Sequence, residues 1–430
     1  MKTHVPMIRS IRPLLAGFVV AACAGTAAAA PFVTNWDVAG NARFNRKTSW
    51  SNGVPNADGI TRFNKAVGAG YIVTFVQNET SRSVWVAKED VTLDLNTHTY
   101  TVTGAGFDTS VLIAHDTADK NSKLIVKDGK LVASRSIAAG RADTNGGGSL
   151  VVEKKGVVEA GANNGGDALR VTPKAGQRAS VEVKPGGKLT TSGKTVIEGS
   201  GDNTKAEVIV HKGGEWISGG DITVGNGTNR FGTLDIRKGA KLDAGGKTIT
   251  IKKDSLIIGT DNVIKAAEIK DGGKAHPKKK EGIESASSMD EIGTLTFDTA
   301  NYMHIHDPAN GDEGVHFIDI GGLLPGKGCD RINVTGLASI GGSLEVQVLP
   351  GYVPQVGDHY RFFTAGVLSG PGYLGKPDRS IFDVGGYDMR IRYHFAHAVP
   401  NISLHVVPAP GCAALLAAGG LAMLGRRRSR

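Results

Sequence analysis

Short alternations of apolar and polar residues recur along the middle of the chain, and each is followed by a polar turn that contains glycine. The segments "SVEVKPGGKLTTSG", from Ser180, and "TLDIRKGAKLDAGG", from Thr233, both consist of an alternating strand, a turn and a second short strand. Alternation with a period of two is typical of β-strands that bury one face. Since no helical periodicity occurs between residues 31 and 405, the pattern predicts an all-β body.

The alternating strands return at a nearly constant interval. Their first apolar residues are 26, 31, 27 and 26 residues apart, and they are Leu124, Leu150, Val181, Val208 and Leu234. A period in this range predicts one coil of a right-handed parallel β-helix, a β-solenoid whose coils stack at ~4.8 Å. The five residues should then form an inward ladder, with glycines at corners that require positive φ. An antiparallel sandwich is the alternative, but it does not explain the constant spacing.

The body divides into three regions by its pattern. Residues 30–269 carry the imperfect repeats of about 26–31 residues. Residues 270–291, "KDGGKAHPKKKEGIESASSMDE", are charged and poor in apolar residues, which predicts an exposed loop. Residues 292–406 return to alternating strands and should supply the final coils and a C-terminal β-cap that covers the open end. Within this last region, Asp330 and Asp358 are expected to accept backbone N–H bonds at turns.

The N-terminal 29 residues have the layout of a secretory signal peptide. A basic start with Lys2, Arg9 and Arg12 precedes an apolar stretch, and small residues follow it. Because Pro31 disfavours a cut after Ala30, signal peptidase is expected to cleave between Ala29 and Ala30. Cys23 offers an alternative, since Val-Ala-Ala-Cys resembles a lipobox and would make this cysteine a lipidated N-terminus.

The C-terminal residues 407–430 have three parts: two prolines, an apolar run from 411 to 424, and a closing arginine cluster. The run spans about 21 Å as a helix at ~1.5 Å per residue, which is short for a bilayer core of ~30 Å. It therefore predicts a transient membrane contact, with the arginines held on the cytoplasmic side. The residues expected to form the signal are Val407, Pro408, Ala409, Pro410, Arg426, Arg427 and Arg428.

This order of parts resembles the PEP-CTERM sorting signal of bacteria that make exopolysaccharide, although Ala409 stands where the family has glutamate. The resemblance implies processing by an exosortase-type enzyme and delivery to the cell envelope, the outer surface or the extracellular space. The body is similar to autotransporter-type passenger domains. The similarity includes the section from Phe317 to Gly366, with its Gly-Gly-x-Leu unit and the Gly-Asp pair before an aromatic strand.

Charge and cysteine content narrow the function classes. The formal net charge is +9, but residues 1–29 carry +3 and residues 411–430 carry +4, so the body keeps only +2. The basic character belongs largely to the terminal segments, and nucleic acid is not an expected partner. Outside these segments Cys329 is the only cysteine, so the mature body has no intramolecular disulfide and depends on packing and strand pairing.

One segment, "YMHIHDPANGDEGVH" from Tyr302, contains candidate metal ligands. His304 and His306 alternate along a predicted strand, Asp307 follows, and further acids and a histidine return nearby. Histidines at this spacing on a strand can bind Zn²⁺. The Asp-Pro and Asn-Gly pairs also fit a simple hairpin turn, which is the favoured interpretation, so no metal or other cofactor is predicted.

No nucleophile elbow, phosphate loop or dinucleotide fingerprint occurs in the chain, and no catalytic residue is predicted. The scattered acids lie beside Lys or Arg and are expected to form solvated ladders. The preferred function is a secreted structural β-solenoid of the cell surface or extracellular matrix, with signal peptidase, an exosortase-type enzyme and an exopolysaccharide as expected partners. The alternatives are a polysaccharide lyase or hydrolase on the same fold and an adhesin that binds glycans or cells.

Overall fold

The computed structural model describes residues 31–408, except 66–67, 69, 115–121, 141–145, 202–203, 227–229, 278–291, 308 and 310–311. The predicted signal peptide and residues 409–430, with the predicted membrane-sorting helix, lie outside this part. The described chain is all-β apart from one short 3-10 helix, Lys47–Ser49. Within it, no helix has both the length and the apolar character needed to cross a membrane.

Three stacks of parallel strands form the body, and each turn of the chain adds one strand to each stack. Stack A contains Ala42–Arg43, Tyr71–Thr74, Asp90–Asp94, Ser122–Lys127, Gly148–Val152, Arg178–Val183, Lys205–Val210, Gly232–Ile236, Leu256–Gly259, Lys274–His276, Val315–Ile320 and Ser343–Val348. Stack B contains Glu79–Ser81, Thr99–Val102, Gly129–Ala133, Gly156–Ala160, Lys188–Thr191, Glu215–Ser218, Lys241–Asp243, Asn262–Lys265 and Thr294–Asp298. Stack C contains Val33–Asn35, Ile60–Phe63, Ser83–Val86, Thr109–Ile113, Ser136–Ala139, Asp167–Val171, Lys194–Ile197, Ile222–Val224, Thr248–Ile251, Glu268–Asp271 and Asn301–His304. This is the arrangement of a parallel β-solenoid.

The predicted inward ladder is confirmed in register and in burial. Leu124 pairs with Leu150, and the pairing continues without a slip through Val181 and Val208 to Leu234. All five side chains are fully buried, as are their neighbours two positions later, Val126, Val152, Val183, Val210 and Ile236. Each coil thus places the same apolar position directly over the last, which makes one continuous core.

The turn between stacks A and B uses the left-handed backbone conformation in successive coils. Residues with positive φ at this turn are Asn96, Thr97, Asp128, Lys155, Gly186, Gly213, Gly239 and Asp261. The prediction of corner glycines is therefore confirmed in three coils, whereas the others place a side chain in a conformation that is costly for any residue but glycine. Backbone hydrogen bonds continue through the stacked turns, as between Gly186 N and Gly213 O at 2.8 Å.

Outward charges on neighbouring coils form opposite-sign pairs in register. Lys123 lies over Asp90 with 2.8 Å between Nζ and Oδ2. Glu215 lies between Lys188 and Lys241 of the adjoining coils, at 3.3 and 2.6 Å. These contacts fit the expectation that the scattered acids form solvated ladders.

The segment 270–291 differs from its prediction as an exposed loop. Residues 268–271 and 274–276 are strands, Asp271 is fully buried, and residues 278–291 lie outside the described part of the chain. The polar composition of this segment predicted exposure, but Asp271 is polar and nevertheless buried, because it has hydrogen-bond partners inside the core. In addition, Gly273 sits where a Cβ would lie 2.4 Å from Ile251 Cγ2.

The C-terminal end of the solenoid changes from parallel to antiparallel pairing. Arg331–Ile340 pairs with the last strands of both stacks B and C, and His359–Ser369 pairs with it in parallel. Asn401–Val406, Tyr387–His394 and Ile381–Val384 then extend this edge in antiparallel order. We call the strands from His359 to Val406 the cap sheet.

Candidate functional site

The inward ladder of stack A becomes polar near the C-terminal end of the solenoid. Beyond Leu234 it continues in register through Ile257 and Ala275 to His316, and then to Leu344. His316 is fully buried at a position that earlier coils fill with apolar residues. Ala275, which has a small side chain, directly precedes it in the ladder.

Stack C changes in the same coils. Asp271 follows Ile251 in register, and His304 follows Asp271. Tyr302 follows Ile269 two positions earlier on the same strand. Because all of these residues are inward and at most 2% exposed, the two stacks bring an acid, a tyrosine and two histidines together inside the core.

A continuous chain of hydrogen bonds joins four of the side chains, which we call the buried relay: Asp271, Tyr302, His316 and Tyr373. The Tyr302 hydroxyl donates to Asp271 Oδ2 at 2.8 Å and lies 2.6 Å from His316 Nε2. His316 Nδ1 lies 2.7 Å from the hydroxyl of Tyr373, which comes from the segment after the first cap strand. The relay therefore connects the solenoid interior to the cap sheet.

The donors and acceptors of the buried relay match in two ways. With Asp271 ionised, the Tyr373 hydroxyl donates to His316 Nδ1, His316 Nε2–H donates to Tyr302, and Tyr302 donates to Asp271. With Asp271 protonated, each of these bonds can reverse its direction and all three are kept, although the Tyr373 O–H then has no acceptor among these four side chains. The Gly273 N–H also donates to Asp271 Oδ1 at 3.3 Å. A proton gained at the acid can thus be accommodated without breaking a bond.

Burial sets the ionisation of this cluster. It raises the pKa of Asp271 to about 6, although the hydrogen bond from Tyr302 opposes the shift. Burial lowers the pKa of His304 to about 3 and that of His316 well below its usual value, so both rings are neutral near pH 7. The network therefore gains charge only at Asp271 as the pH rises.

The geometry favours hydrogen bonding over a shared metal ion at this cluster. Ligand atoms of Asp271, His304 and His316 lie within 4.8 Å of one another, which is compatible with a metal by distance alone. The two imidazole rings, however, stack with centroids 3.8 Å apart and planes 16° apart. Their lone pairs therefore lie in nearly parallel planes, and one ion at ~2.0–2.1 Å from both nitrogens would fall outside both planes.

The structure separates the histidines that the sequence pattern placed on one strand. The strand ends at His304, which faces inward between Gly314 and Gly342, and the Gly342 N–H donates to its Nδ1 at 3.2 Å. His306 and Asp307 lie in a two-stranded hairpin with Asp312–Glu313, as the favoured turn interpretation predicted. His304 therefore meets His316 rather than His306.

A second group of ionisable residues lies on the outer side of stack A. His276 Nε2 is 3.2 Å from Asp319 Oδ2 and 3.7 Å from Asp330 Oδ2. Asp330 accepts the backbone N–H groups of Gly293 and Asp319, both at 2.9 Å, so its predicted role as an acceptor of backbone bonds is confirmed. These bonds make the group a structural clamp between segments.

The backbone role predicted for Asp358 is also confirmed, because its Oδ2 accepts the N–H of Gln355 at 2.7 Å. Cys329 is buried, and burial together with the neighbouring carboxylates raises the pKa of its thiol well above the usual value. It is therefore a core residue rather than a reactive thiolate.

The predicted processing residues fall mostly outside the described chain. Val407 and Pro408 follow the last cap strand, and the Val407 N–H donates to Asp388 O at 2.9 Å. Ala29, Ala30, Ala409, Pro410 and the arginine cluster lie outside the described residues.

Comparisons with known proteins leave the family open. The chain matches no protein-family model, and no curated protein shows significant similarity to it.

Proposed function

We propose that this protein is an exported structural β-solenoid of the cell surface or extracellular matrix. The observation that carries the proposal is the repeated coil, which combines an uninterrupted inward ladder with outward ion pairs between coils. A body built this way is stiff, because each coil is fixed to the next by backbone bonds, packing and charge. Such a scaffold suits a passive role in an extracellular layer.

We also propose the handedness of the coil and the role of its last strands. The coil is right-handed, because connections between parallel strands of one sheet are right-handed in about 98% of cases. The cap sheet serves as the C-terminal β-cap, since it extends the last coil with antiparallel strands.

Delivery rests on the two terminal segments. The signal peptide would direct export, with cleavage by signal peptidase between Ala29 and Ala30. The segment from Val407 would then present an extended box to an exosortase-type enzyme while the apolar run contacts the membrane, in a bacterium that makes exopolysaccharide. The prolines keep the box extended, because a residue before proline disfavours the helical conformation.

Intact mass spectrometry of the protein recovered from the cell surface or medium tests this proposal. The expected mass lacks residues 1–29 and 411–430. Changing Arg426, Arg427 and Arg428 to Ser should make the unprocessed form accumulate, because nothing then stops the apolar run from sliding through the membrane. A surface protein that retains its terminal arginines contradicts the sorting proposal, and release of unsaturated or reducing ends from acidic polysaccharides favours the enzyme alternative.

A further inference from the structure

The outward face of the cap sheet gathers cations. In the strand register, His359, His405 and Arg390 form one row across three strands, and Arg361, Ser403 and Arg392 form the next. Met389, Ile391, Tyr360 and Leu404 alternate with them and are buried on the inner face. We call these two rows the Arg-His face.

Contacts within the Arg-His face hold the histidine rings in place. The rings of His359 and His405 stack with centroids 4.2 Å apart. The hydroxyl of Ser403 lies 3.2 Å from His405 Nε2 and 3.3 Å from His394 Nε2, so His394 adjoins the second row. The face is therefore an ordered surface rather than a set of free side chains.

Few acids balance these cations. Asp378 lies 3.7 Å from Arg392 Nε, but it also contacts Arg379. Asp388 lies two positions before Arg390 on the same face and pairs with Asp383 of the next strand, so these two acids border the first row at one edge. Among the described residues, Arg361 and Arg390 form no ion pair within 4 Å. Like charges gathered this way raise the free energy of the folded protein, and a bound anion would remove that cost.

We propose that the Arg-His face binds a linear polysaccharide that carries carboxylate groups. Arg guanidinium groups match carboxylates with two parallel hydrogen bonds. Arg361 and Arg392 flank Ser403 across two strand spacings, roughly 9–10 Å apart, which lets one extended polymer contact both. The histidine rings beside them offer further hydrogen bonds to sugar hydroxyls, whereas the Ser403 hydroxyl is buried and orients two of these rings.

The composition of the face favours such a polymer over a lipid surface. In the two rows, every outward residue on the three strands is an arginine, a histidine or a serine. The exposed Ile381 borders Arg390 on the fourth strand, and one such side chain offers an acyl layer little apolar surface. The inference rests on the proposed location outside the cell. Because its test uses purified protein, it succeeds or fails independently of the mass measurement.

Because of the histidines, the affinity of the Arg-His face for a carboxylate polymer should depend on pH. The pKa of His405 is lowered to about 4. Burial is the largest cause, and the positive charges of His359, Arg392, His394 and Arg390 add to it. Burial and cationic neighbours also lower the pKa of His359 and His394, while Asp378 opposes this at His394. A bound carboxylate favours the protonated rings, so binding takes up protons and strengthens as the pH falls below 7.

Binding of the purified full chain to polygalacturonate, with dextran as the neutral polymer, tests the proposal. The Arg361→Gln and Arg392→Gln double variant should lose at least tenfold in affinity and show a shallower salt dependence. The matched control, Arg170→Gln with Arg230→Gln, removes two arginines that contact acids on the solenoid and should stay within twofold. Wild-type affinity at pH 5 should exceed that at pH 7.5 several-fold.

The conservative variant with Arg361→Lys and Arg392→Lys should retain most of the binding, and circular dichroism should show that all variants fold alike. Full affinity in the glutamine double variant overturns the proposal. So does equal affinity for dextran, or tighter binding to single-stranded DNA or to vesicles of anionic phospholipid than to polygalacturonate.

Discussion

The solenoid and the cap sheet treat surface charge in opposite ways. On the solenoid, cations meet acids of the next coil, as Lys123 meets Asp90 and Lys241 meets Glu215. On the cap sheet, Arg361 and Arg390 stand beside other cations and histidines. In a solenoid every coil stacks in register at ~4.8 Å, so like charges at one position would repel along the whole axis. The cap sheet does not repeat, and its charge pattern is free to serve a ligand.

The interiors of the two regions also differ where they meet. Earlier coils fill the core with apolar ladders, whereas the last coils contain the buried relay, whose Tyr373 comes from the cap segment. Hydrogen bonds are directional and apolar packing is not, so the relay fixes one position of the cap segment on the last coil. Three predictions test these contrasts, beginning with the largest expected effect.

Leu131→Ala should destabilise the solenoid strongly. Leu131 is fully buried between Tyr100 and Val158 of the adjoining coils, and deleting a buried leucine typically costs 2–5 kcal/mol, roughly. The neighbouring Lys130→Ala removes an exposed ion pair with Glu159 and should change the free energy of unfolding by less than about 1 kcal/mol. Denaturant unfolding of both variants measures the difference, and equal costs would contradict burial of the apolar core as the main source of stability.

Asp271→Asn should change how stability depends on pH. The pKa of Asp271 in the fold, about 6, lies above its ordinary value of 3.8. Its contribution is therefore fully present below pH 3.8 and is lost as the pH rises through 6, by on the order of 3 kcal/mol. Asparagine can take the place of the protonated acid, because the buried relay can reverse its hydrogen bonds.

Unfolding free energies of the wild type and Asp271→Asn between pH 4 and 7 decide this prediction. The wild type should gain stability relative to the variant as the pH falls. His304, whose lowered pKa acts in the opposite direction, is common to both proteins and cancels in the difference. A constant difference over this range would mean that Asp271 does not titrate in the fold.

Removing one charge from each region should have small effects of opposite sign. Glu215→Gln leaves Lys188 and Lys241 facing each other across a neutral side chain, so it should lower the melting temperature slightly. Arg361→Gln removes a cation from a like-charged face and should leave the melting temperature unchanged or raise it. Thermal scans at low salt measure both effects, and high salt should reduce them. A clear loss of stability in Arg361→Gln would show that the Arg-His face is held together by its own charges.

The repeat is visible in the sequence from Leu124 to Leu234 but not in the last coils. The spacing of Leu124, Leu150 and their successors was regular enough to give the register. The ladder continues through Ile257 and Ala275. A long charged segment after residue 277 then separates these coils from the next strand of stack A, which begins at Val315. His316 and Asp271 are polar, so the pattern of apolar residues passes over them. If the ladder is continued from Ala275 by strand register, and not by a search for the next apolar residue, its next member is His316, which is then expected in the core.

The sequence by itself determined the all-β class, the coil period and the inward ladder, because each depends only on alternation and spacing along the chain. Tertiary structure decided which polar residues meet. His304 lies beside His316 rather than His306 because the chain leaves the coil after His304 and returns through a hairpin. The rows of the Arg-His face come from antiparallel pairs whose residues are 11 to 46 positions apart, and these strands do not belong to the repeat. Alternation fixes which face a side chain occupies, whereas its neighbours on that face depend on how distant strands align.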